Sequence, residues 1–167
     1  MWLVIEVSIH MDGSIRLREH GKEYLVVPTG TLQSEQARLL KNLIALSYDI
    51  VGDSGEILSI VRHSIFANRV YILKQGEETV LELPQLRDKT FHYKGKEYKL
   101  GTKKLRGYIT IERDGNPVAW GRYSLSRVRF MRCEGEMKDI IKEIAVGMGI
   151  NLAGVQIAIL GFLAGAA

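Results

Sequence analysis

Six cationic side chains fall within thirteen residues: Lys94, Lys96, Lys99, Lys103, Lys104 and Arg106. Tyr93, Tyr98 and Tyr108 stand among them. Positive groups at this density, with aromatic faces between them, suit an anionic partner, either a lipid headgroup with its interface or a nucleic-acid backbone. Near an anionic leaflet each Lys or Arg contributes about 1 kcal/mol, so six add up to a sizeable attraction. The same lysines could instead simply keep a sheet edge in solvent and discourage edge pairing.

Other reactive residue types lack a working arrangement. His10, His20, His63 and His92 are scattered without metal-ligand spacing, and there is no paired-carboxylate signature or nucleophile elbow. Cys133 has only Arg132 beside it to favour a thiolate, so a packed thiol is expected. Asp49, Asp53 and Glu56 miss the spacing of a calcium loop and read as turn residues. The sequence therefore points to a non-enzymatic protein without metal or cofactor.

Charge is unevenly spread. Between Arg87 and Arg132 there are 13 Lys and Arg against 4 Asp and Glu; the rest of the chain holds 10 basic and 15 acidic residues. Such asymmetry concentrates positive potential on one part of a fold and favours anionic partners. At 167 residues the chain fits one domain, residues 1–167, with a sizeable core. One cysteine excludes an intramolecular disulfide framework, and Trp2–Ile9 is too short and lacks the basic start of a secretory signal. A reducing, cytoplasmic location follows as the expectation.

The elements that must position these groups are mostly strands. Short stretches rich in Val, Ile, Leu and Tyr are separated by turn signals about every ten residues, among them Asp12-Gly13, Gly21-Lys22, Gln75-Gly76, Lys94-Gly95 and Asp114-Gly115. Alternation is clearest where Ile15 and Leu17 oppose Arg16 and Arg18, and where Val128 and Phe130 oppose Arg127 and Arg129 within a strand set at Ser124–Arg132. Ser34 to Ile44 is the one upstream stretch that reads as a short amphipathic helix or a connecting loop. Gly21-Lys22-Glu23-Tyr24 recurs as Gly95-Lys96-Glu97-Tyr98, and Tyr48–Leu58 resembles Tyr108–Val118. Two similar sets of strands fit an approximate two-fold barrel.

From Ile144 to Ala167 there is no Asp, Glu, Lys or Arg. A run of this length fits either a bilayer or the middle of a protein. Gly161 and Gly165 have the spacing of a membrane-helix contact, yet no aromatic belt or basic flank marks an interface. Glycines at 147, 154 and 161 suit a helix threaded through a narrow channel. The balance favours a buried central helix at about 137–165 over a tail anchor.

Strands in two similar halves followed by an apolar helix resemble the tubby C-terminal, LURP-one-related and phospholipid-scramblase superfamily. The matching stretches are Tyr48–Arg62 (YDIVGDSGEILSIVR), Tyr108–Trp120 (YITIERDGNPVAW) and the helical stretch from Asp139. In length and layout the chain looks most like the LURP-one-related proteins. The resemblance implies a mainly β fold: a closed antiparallel barrel of about twelve strands around a buried hydrophobic C-terminal helix. The resemblance places no binding residue; with the basic cluster, the expectation is a binding or scaffold module that engages acidic phospholipid through Lys94, Lys96, Lys99, Lys103, Lys104 and Arg106. The alternatives are a tail-anchored protein with a cytoplasmic β domain and a non-specific nucleic-acid-binding protein, the latter disfavoured for want of a motif.

Overall fold

The computed structural model describes residues 2–10, 14–29, 46–64, 69–74, 78–84, 89–103, 107–124 and 126–150. Twelve strands run in order: β1 (Trp2–Ile9), β2 (Ile15–Glu19), β3 (Lys22–Thr29), β4 (Leu46–Val51), β5 (Ile57–Ser64), β6 (Arg69–Lys74), β7 (Glu78–Pro84), β8 (Lys89–Tyr93), β9 (Lys96–Lys103), β10 (Tyr108–Arg113), β11 (Asn116–Tyr123) and β12 (Arg127–Cys133). Each pairs antiparallel with its sequence neighbour from β1 to β7 and from β8 to β12, and β1 pairs with β12. β7 and β8, the ends of this order, come together at a seam, so the barrel is nearly closed. The last strand begins at Arg127, after a reversal in which the Ser124 amide donates to the Arg127 carbonyl at 2.8 Å. The predicted helix at Ser34–Ile44 and the turns at Asp12-Gly13 and Gln75-Gly76 lie outside the described residues.

Moving six strands along the order maps the β2–β3 hairpin onto β8–β9, and the repeated tetrapeptide occupies the same place in both. His20-Gly21 and Lys94-Gly95 form the turns, with φ of 49° and 81° in the first and 48° and 74° in the second. Two successive positive φ values match the twist of flanking strands. Tyr24 and Tyr98 both face the core. The second repeat holds with a slip of one residue. Val26 pairs with Ile50 and Leu100 with Ile111, which makes Tyr48 the counterpart of Ile109, not of Tyr108. The longer turn at Gly52–Glu56 takes up the extra residue, and a one-residue slip exchanges the two faces of a strand. Tyr48 is accordingly buried while Tyr108 lies on the outside.

Inward-facing Ile5, Val7, Leu17, Ile50, Val61, Ile72, Leu81, Phe91, Leu100, Ile109, Ile111, Val128 and Phe130 line the barrel. The chain then makes a 3₁₀ turn at Gly135–Asp139 and continues as helix α1, residues 141–150. The helix thus starts later than position 137, because Gly135–Asp139 carries the chain across the end of the barrel before the axis turns inward. Ile140, Ile141, Ile144, Ala145, Val146, Met148 and Ile150 are buried in the same core as the strands. A Cβ at Gly149 would stand 2.8 Å from Val7 Cγ1, so α1 runs hard against the inner face of β1 and only glycine fits there. A helix apolar all round finds no water in this position, which accounts for the loss of charge beyond Glu143. Among the described residues no helix is long and apolar enough to cross a membrane. Residues 151–167, the rest of the apolar run, lie outside the described residues.

Candidate functional site

The helix enters through the barrel mouth that carries the two repeated hairpins, and this is where two of the sequence-predicted lysines, Lys94 and Lys96, go. Lys94 Nζ lies 3.7 Å from Asp139 and 5.5 Å from the centre of the Tyr93 ring. Lys96 donates to Glu136 Oε1 at 3.2 Å. Both acids belong to the 3₁₀ turn that leads into α1. On the other side of the mouth the sense is reversed: the helix supplies the cation. Lys142 lies 3.3 Å from Glu19 and 4.7 Å from the Tyr24 ring. Lys22 pairs with Asp53 at 2.9 Å, and that partner raises its pKa. Burial pushes the Tyr93 hydroxyl up; Lys94 opposes this, while Asp139, Glu143 and Glu136 add to it. The mouth is a ring of internal ion pairs that seats the helix.

Lys99 and the backbone of Lys103 are set apart from these two. Lys99 lies midway along β9, exposed, with Glu112 opposite it on β10. Lys103 ends β9 opposite Tyr108, seven residues from Lys96, or about 23 Å of strand. Its side chain, and Lys104 and Arg106 entirely, lie outside the described residues.

A second basic region has more to offer. Strands β2, β1, β12 and β11 are neighbours, and their outward positions carry Arg16, Arg18, Arg127, Arg129 and Arg122. The registers place one row across the sheet: Glu23, Arg18, Glu6, Arg129, Arg122 and Tyr108. Glu6 is the acid at its centre, shared between Arg127 at 3.5 Å and Arg129 at 3.9 Å. Arg16 only approaches Glu23, at 4.0 Å. Arg122 and Arg129 stand directly opposite one another, and among the described residues no acidic side chain pairs with Arg122 or Arg18. Like charges in directly opposed positions destabilise a sheet. Arg122 rests instead on Tyr108, 5.1 Å above the ring and donating to the hydroxyl at 3.3 Å. Trp120 packs against the same tyrosine, with ring centres 6.2 Å apart.

Gly121 sets this register. It falls where β11 and β12 shift by one residue, and a Cβ there would overlap the Arg129 carbonyl oxygen at 2.2 Å. The absence of a side chain lets the two backbones close up and brings Arg122 opposite Arg129.

The remaining candidates are structural or neutral. Cys133 is fully buried, and burial pushes its thiol up to about 12, the wrong direction for a nucleophile. His92 sits across from Glu97 at 3.5 Å on the exposed side of a hairpin, and His20 occupies a turn. Asp53 is engaged by Lys22, and Asp49 is partly buried, which raises its pKa. A groove of about 410 Å³ is lined by Pro117, Val118, Ala119, Trp120, Arg132 and Glu134. Its one cation is held by its one acid at 2.6 Å. The sequence reading saw the alternation at Arg16/Arg18 and Arg127/Arg129 but built no site on it. The missing piece was the pairing of β1 with β12, strands at opposite ends of the barrel sequence.

Fold and surface together define a helix-threaded, twelve-stranded antiparallel barrel with an arginine-rich outer face. No family model matches the chain, and neither the curated proteins nor the solved structures yield a match.

Proposed function

We propose that this protein is a non-enzymatic binding module of the tubby-like barrel type whose arginine face engages acidic phospholipid at a membrane surface. The observation that carries the reading is the opposed pair Arg122 and Arg129, with Glu6 the one acid among the described residues that offsets it. A surface kept in that state offers guanidinium groups to an anion from outside. Lipid is favoured over nucleic acid by what borders the arginines. Leu25, 64% exposed, lies opposite Arg16, and the aromatic pair Tyr108 and Trp120 closes the other side. Amphipathic rings and an exposed aliphatic chain beside arginines suit the interfacial zone of a bilayer.

The test is co-sedimentation with vesicles of phosphatidylcholine containing phosphatidylserine. Reversing charge at Arg18, Arg122 and Arg129 should abolish binding. Reversal at Lys94 and Lys96 should leave it within about twofold once folding is verified, because their charges are already met by Asp139 and Glu136. A third variant, reversed at Lys103, Lys104 and Arg106, measures the share of the β9–β10 connection. Unchanged binding of the arginine variant would refute the assignment of the surface, and no binding by the unaltered protein would refute the function.

A further inference from the structure

We infer that Arg122 and Arg129, braced by Tyr108 and Glu6, form a receptor for a dianionic phosphate monoester. This rests on the reading of the arginine face as an anion-binding surface and names the anion it prefers. Directly opposed residues on antiparallel strands hold their Cβ atoms about 5 Å apart, so the two arginine side chains spring from one spot and both can reach a ligand placed between them. Each is steadied from a different direction. The Tyr108 ring and hydroxyl hold Arg122 at 5.1 and 3.3 Å, and Glu6 holds Arg129 at 3.9 Å. The Glu6 side chain is 22% exposed against 46% for Arg129, so the carboxylate lies beneath the guanidinium and leaves its outer edge open. Gly121 fixes the spacing from the backbone.

Two guanidinium groups that close on one ligand ask for more than one charge and more than two oxygens. A phosphodiester offers one negative charge and two non-ester oxygens, enough for one bidentate contact. A monoester offers three such oxygens and, above its second ionisation near pH 6, close to two charges. The opposed arginines therefore match the monoester, and the row continues to Arg18 for a neighbouring charge. A terminal phosphate on a lipid and a soluble phosphomonoester share this chemistry.

The experiment compares full-length protein on two vesicle types of equal measured surface potential, one holding phosphatidic acid, a monoester, and one holding phosphatidylglycerol, a diester. Inorganic phosphate is titrated separately while the arginine side-chain N–H resonances are followed. Tighter binding to phosphatidic acid by about tenfold at pH 7.5, fading at pH 5, is the expected result. Arg122→Lys keeps the charge but not the fork; it should remove the preference for phosphatidic acid, and an undiminished preference in this variant would count against the paired arginines. Shifts of two arginine side chains with free phosphate at submillimolar concentration, without a preference among vesicles, would keep the receptor and make its ligand soluble. Equal binding to both vesicles together with no response to phosphate would overturn the inference while leaving the membrane function standing. Absence of binding to either vesicle and to phosphate would remove both.

Discussion

The barrel mouth and the arginine face are both basic, and they use charge in opposite ways. At the mouth four lysines have a counterpart across a defined gap: Lys94 with Asp139, Lys96 with Glu136, Lys142 with Glu19, Lys22 with Asp53. On the face five arginines share Glu6 and a distant Glu23, and two of the arginines are set against each other. Charge at the mouth is spent inside the molecule, on holding a helix in a channel. Charge on the face is left for something else. Local density of Lys and Arg, which is what a sequence displays, cannot tell these apart; the position of the acids does.

Breaking the mouth altogether should have the largest effect. Termination after Glu143 takes Ile144, Ala145, Val146, Met148 and Ile150 out of the core. Removing one large buried aliphatic side chain costs about 2–5 kcal/mol, and a whole domain has only about 5–15 kcal/mol of stability. No cooperative thermal transition and strong binding of a hydrophobic dye are expected. A folded, soluble truncation would mean that the strands do not depend on the helix they surround.

Gly121→Ala comes next and attacks the face through its backbone. The new methyl group meets the Arg129 carbonyl, so β11 and β12 must part locally. A loss of about 1–3 kcal/mol in denaturant titration is expected, together with weakened vesicle binding as Arg122 leaves its place. Loss of stability with binding intact would separate the register from the site.

Alkaline titration addresses the inner wall beneath the mouth without touching the arginines. Cys133 has its thiol raised from 9.0 to about 12, first by burial, with Lys138 opposing and Asp139 adding. The folded pKa is above the unfolded value, so the contribution is whole below pH 9 and is lost progressively between pH 9 and 12, where the unfolded chain releases its proton first. The slope is at most about 1.4 kcal/mol per pH unit. Cys133→Ala should flatten that part of the stability curve, with Tyr48 and Tyr93, both raised by burial, accounting for what remains. An unaltered alkaline limb in the variant would show that the thiol is not the group responsible.

A smaller change isolates one clamp. Lys142→Met keeps a long unbranched side chain but removes the charge that lies over the Tyr24 ring and beside Glu19. Both partners are about three-quarters covered, so the pair is worth more than a surface ion pair, and a loss of about 1 kcal/mol is expected by chemical denaturation. Vesicle binding should stay the same. If it fell, mouth and face would be coupled and the contrast between them would fail.

Much of this architecture was readable from local pattern. Alternation at Ile15–Arg18 and Arg127–Phe130 gave strand phase correctly, because one face of each is buried and a slip would expose it. The two copies of the tetrapeptide mark equivalent hairpins, since each opens on the glycine that the turn's positive φ favours. The charge-free run marks the central helix, as its first seven residues, 144–150, show. Contacts distant in sequence were not readable. Nothing near Arg129 announces Glu6 or Arg18, which reach it only because β1 and β12 pair. Likewise Lys96 meets Glu136 forty residues away. The densest stretch of lysine is what a sequence displays, and there acids from the helix turn meet Lys94 and Lys96.

Arg122→Glu should give the smallest change in stability and the sharpest test of the contrast, because its sign is unusual. Substitution of a functional surface residue by its opposite charge is ordinarily neutral or harmful to folding. Here it converts a directly opposed like-charge pair into an opposite-charge pair with Arg129, worth about 0.2–1 kcal/mol. Part of that is offset by loss of the contact with the Tyr108 ring and hydroxyl. A net gain of a few tenths of a kcal/mol by denaturant titration is expected at low salt. It should shrink as salt rises, since both groups are exposed and screened. Acidic vesicle binding should be lost in the same variant. A protein that becomes more stable and less able to bind through one substitution has held that arginine against its own folding, for the sake of a partner. If Arg122→Glu instead destabilised the fold and left binding intact, the opposed arginines would be a structural element and the face would have no claim as the site.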